Sequence, residues 1–565
     1  MPKIEVSERT LFGLLGRRLE RRELEELLPM AKAELDDWTS DGVLKIELND
    51  TNRPDLWSGP GLARLLRVYL GGKAPDYPFI SSPGKPRESG DREVIVEEGL
   101  RGIRPFIVAF LATGLPISDD LLKEVIQAQE KLCWNFGRKR SSIAMGVYRG
   151  DLLKFPVRYR AADPDKTSFV PLDFDQPMSL RQILEKHPKG VEFGPLIARF
   201  PRFPYLEDAQ AAALSMPPVI NSARLGAVKV GDSSHFIELT GTDQDSLATA
   251  GAIVACDLAD AGYTIQPVKV VYPYDTLHGR EVVTPNYFQK PVSMDSADAG
   301  RLLGRRIGAG EAEAALRRMG NPVERRGDTL TVRPPPYRND FLHPVDVVEE
   351  VMIGCGMDSF EPVWPEDFTV GRLSEIELFS RRVRNLLVGL GYQEMIYNYL
   401  GSRRDLVERM NLDGGEVVEI ANPMSESCEL VRNSALPGLL ASEASSSNAA
   451  YPHRIFEIGK VAVLDERENY GSRTFTSLAL LYADREAGFN DVRSHLAALG
   501  YYLSREVGLQ EAEDPRFVPG RSGALVYKGK RIGSIGEVHP AVLAAWSIQM
   551  PCAALELELE ALLEA

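Results

Sequence analysis

The sequence predicts an α+β, multidomain protein: an N-terminal module, a large α+β domain, a winged-helix-like module and a domain of helices on an antiparallel sheet. At 565 residues the chain exceeds what one core organises. Strand-like and helix-like apolar periods both run through it. Proline- and glycine-rich seams fall at 71–91 (GGKAPDYPFISSPGKPRESGD), 271–291 (VYPYDTLHGREVVTPNYFQKP) and 360–371 (FEPVWPEDFTVG). They set domains at 1–85, 92–275, 284–360 and 371–565.

In the first domain, 20–35 reads as helix, KIELND as strand, and GPGLARLLRVYLGG has helical apolar spacing. Between 92 and 270, strands such as PFIVAFLAT, SSIAMGVY and SHFIELTG alternate with helices such as DDLLKEVIQAQEKLCWNF and DSLATAGAIVACDLADAG. From 292 to 360 the order is helix, helix, strand (PVERRG), strand (TLTVRPP), helix, which suits a winged-helix-like unit. The last domain opens with SEIELFSRRVRNLLVGLGY, where Ser374 and Glu377 have the spacing of a capping box. Strand-like EVVEIAN, RIFEIGKVAVL, TSLALLYA, GALVYKGKRIGSIGEV and CAALELEL follow.

The formal charge of −15 argues against a broad nucleic-acid-binding face, because phosphate neutralisation dominates such affinity. Any contact with nucleic acid is expected through a local basic pocket or beside a partner. RRLERRE (17–23), GRKR (137–140) and RRMGNPVERR (317–326) are the basic clusters. Cys133, Cys256, Cys355, Cys428 and Cys552 are scattered, so neither a disulfide framework nor structural zinc is expected. No apolar run approaches the roughly 20 residues of a membrane helix. The N-terminus lacks a secretory pattern, so a cytoplasmic protein with no membrane association is expected.

The stretch PPPYRNDFLHPVDVVEEVMIG (334–354) crowds Asp340, Asp346, Glu349 and Glu350 beside a run of valines. A helix beginning near Pro344 sets Asp346, Glu349 and Glu350 on one face and Val347, Val348, Val351 and Met352 on another. A solvated helix face with acids at the positive end of its dipole is one reading. A hard cation, Mg²⁺ or Ca²⁺, offsetting carboxylates that have no nearby lysine in sequence is the other. No G-x-x-x-x-G-K-[ST] loop, no G-x-G-x-x-G after a strand and no G-x-S-x-G elbow is present, so no motif supports ATP chemistry within the chain.

LNDTNRPDLWSGPGLARLL (48–66) resembles a segment near the start of the β subunit of phenylalanyl-tRNA synthetase. Further segments follow in that family's order. GRKRSSIAMGVYRGDL (137–152) and PPVINSARLGAVKVGDSSHFIELTGTD (217–243) resemble its editing region. PPYRNDFLHPVDVVEEVMIGCGMDSF (335–360) resembles the end of its winged-helix-like module. ANPMSESCELVRNSALPGLL, RIFEIGKV and PGRSGALVYKGKRIGSIGEVHPAVL resemble its class II synthetase-like, non-catalytic domain. The resemblance is to the shorter, archaeal and eukaryotic-type form.

The resemblance implies a catalytic α subunit as partner in an (αβ)₂ heterotetramer, with tRNA and ATP as substrates of the complex. It implies Mg²⁺ shared with that α subunit and held by Asp340, Asp346, Glu349 and Glu350. It also implies hydrolytic editing of mischarged tyrosyl-tRNA, with Asn221, Ser222, Glu238, Thr240, Thr242 and Asp243 as the editing residues. Arg138, Lys139 and Arg140 are expected to hold the tRNA end. The chain departs from the family pattern at Tyr148-Arg149-Gly150-Asp151 and at Ser233-Ser234. The rival readings are a scaffold with a decayed editing site and a free-standing hydrolase of mischarged tRNA.

Overall fold

The structure, a computed structural model, describes residues 3–49, 52–82, 86–414, 417–446 and 448–563. Asp50 and Thr51 of the 48–66 segment, 83–85 in the first seam and Glu416 of EVVEIAN lie outside the described residues. The chain forms two compact units, Met1–Trp364 and Pro365–Ala565.

The first unit begins with an antiparallel sheet in which Val43–Leu48 lies between Lys3–Ser7 and Ala33–Trp38. The expected helix over 20–35 is therefore too long. Helix Arg21–Leu27 gives way to a tighter turn at Leu28–Ala31, and Lys32 takes a left-handed φ of 52° before the strand begins. Pro29 supplies the physical reason, since a proline tolerates only the first turn of a new helical segment.

Gly59–Tyr69, from the GPGLARLL motif, is buried along almost its whole length. Ser58 caps it, accepting from the Gly61 amide at 3.1 Å. A Cβ on Gly61 would stand 1.8 Å from the Asp55 carbonyl oxygen, so only glycine permits this approach. Arg64, on the same helix, ion-pairs Asp260 at 2.7 Å and Asp257 at 3.1 Å and lies 4.1 Å from the Tyr337 ring centroid. One side chain thus ties the N-terminal module to the central helix and to the 335–360 segment.

The central region is a ten-stranded sheet. Its order is Ile220–Asn221, Ala213–Met216, Phe203–Glu207, Val157–Ala162, Glu93–Val96, Thr264–Val271, Phe106–Thr113, Ser234–Gly241, Ile143–Arg149, with Glu281–Thr284 also pairing Thr264–Val271. That last strand lies beyond residue 275, so the sheet extends into the 271–291 seam. Gln244–Asp260 is apolar on nearly every side, as a helix enclosed on all faces must be. A continuous core joins residues from the N-terminal module, the central region and, through Met319, Tyr337 and Ile353, the winged-helix-like module. That module adds a strand not anticipated from sequence, Val292–Asp295, paired with Thr329–Val332.

In the second unit a seven-stranded sheet runs Gln393–Glu394, His453–Leu464, Ser472–Ala483, Cys552–Glu558, Lys530–Val538, Phe517–Tyr527, Gly508–Glu511. All neighbours are antiparallel except the first pair. Two apolar clusters contact it, one built with Glu375–Gly389 and Phe489–Leu503, the other with Leu436–Ser445. The capping box expected at Ser374 is not formed: Glu377 instead accepts from Arg381 one turn on, at 2.8 Å. EVVEIAN contributes only Val418–Glu419, in a separate small sheet.

Buried Glu124 accepts from the Gly59 amide at 3.1 Å, and burial raises its carboxyl to about 7. A carboxyl raised in the folded state contributes stability that is complete below its unfolded pKa and is lost as pH climbs through the folded one. Glu124→Gln keeps the acceptor and removes the titration. It is therefore expected to flatten the decline in stability between about pH 4.5 and 7, by up to about 1.4 kcal/mol per pH unit. Denaturant melts of both proteins across that range provide the measurement, and parallel pH profiles would contradict the assignment.

Candidate functional site

The large sheet curls until its two edges meet. Tyr148, on the Ile143–Arg149 edge, accepts from Ser215 Oγ at 2.8 Å and lies 3.4 Å from Asn221 Oδ1, on the two strands at the opposite edge. The Arg149 amide donates to Leu225 O at 2.8 Å across the same seam. Beside it opens a cavity of about 450 Å³. Leu122, Val125 and Ile126 of helix Asp119–Lys131 form its apolar wall, and Glu238, Ser215 and Asn221 supply polar groups.

Glu238 lines this cavity from the middle of Ser234–Gly241, the strand next to the Ile143–Arg149 edge. It is 2% exposed, and burial raises its carboxyl to about 7. One carboxyl oxygen accepts from the Tyr148 hydroxyl at 2.8 Å; the other, Oε2, is buried with no hydrogen-bond partner. A buried polar atom without a partner is costly and calls for an explanation. Gly146 makes the arrangement possible, since a Cβ there would sit 2.1 Å from the Tyr148 hydroxyl and 2.7 Å from Glu238 Oε1.

Of the six expected editing residues, the structure brings only Asn221 and Glu238 to the cavity. Ser222 turns away, donating to Ala213 O at 2.6 Å and accepting from the Leu225 amide. Thr240 shares the strand face of Glu238, two residues on, but it is fully buried and Arg104 donates to its hydroxyl at 3.0 Å. Thr242 and Asp243 are exposed, and Asp243 caps helix Gln244–Asp260 through the Ser246 amide at 2.8 Å. Ser222 follows Asn221 by one residue and so faces the other way, and the turn at 242–243 carries the chain away from the cavity. Met145, Ser215 and Lys189 line the cavity and Tyr148 stands behind it, and the candidate set omits all four. The signals for Tyr148 and Ser215 are polar residues inside otherwise buried strands. The departures Arg149 and Ser234 lie off the cavity, Arg149 being paired with Asp151 at 2.8 Å.

The basic run 138–140 follows an irregular helical turn, Leu132–Phe136. Arg138, Lys139 and Arg140 have φ of 50°, 53° and 66°, three successive non-glycine residues in the left-handed region. Their amides return to the carbonyls of Asn135, Trp134 and Cys133, and buried Arg104 donates to Arg140 O and Ser141 O from outside. Arg138 and Lys139 are exposed. Arg140 is not free to take phosphate as expected, because its guanidinium donates to Pro218 O and Val219 O, each at 3.1 Å, and forms part of the cavity wall.

Three of the four acids are relieved by cations: Arg338, two residues before Asp340, and the distant Arg53 and Lys32. Arg338 makes two bonds to Asp340, at 2.7 and 2.6 Å, and one to Glu350 at 2.9 Å. Glu350, 4% exposed, also accepts from Asn321 at 2.7 Å and lies 3.5 Å from Arg53. Arg53 in turn forks onto Asp55, with both bonds at 2.8 Å. Burial alone would raise the Asp340 carboxyl, but the Arg338 charge and hydrogen bonds overcome it and hold the group at about 2. Glu349 reaches Lys32 at 2.9 Å, and Asp346 folds back onto the amides of Leu342 and His343 at 2.7 and 2.6 Å.

The four carboxylates thus point to three different places. Among the described residues, no group of three or more His, Cys, Asp and Glu side chains converges as a metal site. The tetrad as placed does not fit a cation held by all four groups. Asp340 and Glu350 are instead neutralised by the Arg338 and Arg53 guanidinium groups, Glu349 by Lys32, and Asp346 is held by backbone amides.

The second unit holds a separate cavity of about 440 Å³ on its sheet. Four of its charged residues are committed to neighbours: Glu556 accepts from Ser434 Oγ, the Ala435 amide and Ser477 Oγ, Arg516 pairs with both Asp514 and Glu556, and Glu558 pairs with Arg473.

Comparison with known proteins gives a consistent result. The family described as "Phenylalanyl tRNA synthetase beta chain CLM domain" matches residues 362–559, and "tRNA synthetase B5 domain" matches 292–357. The phenylalanine–tRNA ligase beta subunits of Borrelia turicatae (strain 91E135) and Borreliella burgdorferi (strain ZS7) are each 45% identical over the full length of both chains. A crystal structure of an N-terminal fragment of the phenylalanyl-tRNA synthetase beta subunit from Pyrococcus horikoshii is 35% identical. It covers 63% of this chain and 100% of its own, with a TM-score of 0.58. With full-length identity at this level and matches in both compact units, the chain belongs to the phenylalanine–tRNA ligase beta-subunit family.

Proposed function

We propose that this ligase subunit works in the cytoplasm with a catalytic α subunit, in an (αβ)₂ assembly that joins phenylalanine to its tRNA at the expense of ATP. Within it, the central cavity hydrolyses tyrosine wrongly attached to that tRNA. The observation that carries the editing reading is the unpartnered, buried Oε2 of Glu238 at the cavity. A phenol hydroxyl is the group that completes it. When Glu238 is ionised, the phenol donates to Oε2; when it is protonated, its O–H donates to the phenol oxygen. A phenylalanyl ring would leave that oxygen unpaired against carbon, and such a buried loss discriminates strongly.

Tyr148 holds the other oxygen and so fixes the carboxyl plane. The scaffold reading draws its force from the departures at Arg149 and Ser234, and both lie off the cavity. Synthesis is assigned to the partner because the second unit's cavity engages its own charges and the sequence carries no ATP-binding motif. Magnesium shared with the α subunit finds no support in the placement of the tetrad.

Three outcomes are expected. The purified chain alone, given ATP, phenylalanine and tRNA, does not aminoacylate, whereas the assembled complex does; charging by the single chain would overturn the division of labour. In the complex, tyrosyl-tRNA is deacylated roughly a hundredfold or more faster than phenylalanyl-tRNA. Glu238→Ala removes most of that preference with little effect on charging, and an unchanged ratio would remove Glu238 from the site.

Glu350→Gln and Asp340→Asn are each expected to destabilise the isolated chain by roughly 3 kcal/mol, because each leaves buried Arg338 short of a counter-charge. Glu349→Gln, at an exposed pair, changes stability by no more than about 1 kcal/mol. Denaturant unfolding with and without Mg²⁺ measures this. A large Mg²⁺-dependent stabilisation of the wild type that Glu349→Gln abolishes would show that the tetrad rearranges into a cation site.

A further inference from the structure

Trp134 is 47% exposed, although it belongs to the irregular turn Leu132–Phe136 whose neighbours Leu132 and Cys133 are buried. Its surroundings form a graded path to the cavity. The cavity wall includes Arg140 and Lys189. Both lie over the ring of buried Phe193, with Arg140 Cζ at 4.2 Å and Lys189 Nζ at 5.4 Å from its centroid. Phe193 meets Trp134 edge to face, with centroids 6.4 Å apart and planes at 86°. Beyond it, Lys139 Nζ stands 5.6 Å from the indole centroid.

Three successive left-handed residues, Arg138, Lys139 and Arg140, set this geometry. Non-glycine residues adopt that conformation only when their surroundings impose it, and such strain gathers where side-chain placement matters. Here Arg104 and the returning amides impose it, so that Arg140 points into the wall while Arg138 and Lys139 face solvent. The result is a half-exposed indole with the Lys139 ammonium over its ring, joined through Phe193 to the wall of a polar-floored cavity, on a chain of net charge −15. Unpaired RNA is held by this combination, in which bases stack on aromatic rings while basic side chains follow the phosphates.

Resting on the editing reading above, we propose that Trp134 is the stacking platform for a nucleotide next to the esterified terminus of the tRNA. Lys139 and Arg138 meet the adjoining phosphates, and Arg140 serves the cavity wall. The terminal nucleoside with its amino-acyl group enters the cavity, and the preceding base lies on the indole. Arg138 and Lys139 therefore keep their expected partner, and an aromatic residue outside the candidate set joins them.

The test uses the full-length chain and a fluorescently labelled single-stranded RNA ending in CCA, with affinity read by anisotropy at fixed salt. Trp134→Ala is expected to weaken binding about tenfold, while Trp134→Phe, which retains a stacking face, stays within about twofold of wild type. Lys139→Ala weakens binding and reduces its salt dependence. In the assembled complex, Trp134→Ala raises KM for tyrosyl-tRNA deacylation with kcat nearly unchanged, and hydrolysis of tyrosine ethyl ester, which has no nucleotide, is unaffected. Equal RNA affinity of wild type and Trp134→Ala overturns the proposal, as does a failure of the wild type to bind the RNA. If the wild type binds RNA through Trp134 but hydrolyses no ester, the platform stands and the editing reading falls.

Discussion

The hydrogen bonds of Tyr148 close the large sheet on itself, and the cavity exists because of that closure. One hydroxyl at one edge reaches Ser215 and Asn221 at the other, and the same hydroxyl holds Glu238 on the neighbouring strand. The helix Asp119–Lys131 then needs only to cover the opening with Leu122, Val125 and Ile126. Pairing a phenol with a carboxyl in a buried seam is stable only while every participant keeps its place, since the low-dielectric interior magnifies any loss. The absence of a Cβ at Gly146 is part of the same constraint.

A second set of buried charges performs a different task. Arg53, Asp55, Arg338, Asp340 and Glu350 lie on segments from the N-terminal module and the winged-helix-like module. Arg64 with Asp257 and Asp260 couples the N-terminal module to the central helix. Buried ion pairs add less net stability than their geometry suggests, because both partners lose water. They do penalise misdocking severely, since a module seated wrongly would leave a guanidinium dry and unpaired. The acidic cluster beside the valines is therefore explained within the chain by counter-charges up to 317 residues away.

The structure also divides the basic residues that sequence grouped together. Arg138, Lys139 and Arg140 are consecutive, yet Arg140 is committed to two carbonyls and an aromatic ring while its neighbours meet solvent. A left-handed turn rotates successive side chains differently from a helix or strand, so adjacency in sequence did not mean adjacency in role. The same holds for the 221–243 segment, where alternation turns Ser222 from Asn221, Arg104 occupies Thr240, and a terminal turn sends Thr242 and Asp243 away from Glu238.

Local chemistry was legible in the sequence wherever a short range decides it. The helix from Pro344, the strands 106–113, 143–149 and 234–241, and the long strands of the second unit follow from apolar period and turn residues, which act over a few positions. The ordered motifs placed the chain in its family for the same reason. Tertiary structure alone decided which polar groups converge. Tyr148 meets Ser215 across the ends of a ten-stranded sheet, Glu349 meets Lys32, and Glu350 meets Arg338 and Asn321. A carboxylate takes whichever cation the fold brings within a few ångströms, and no local pattern encodes that distance.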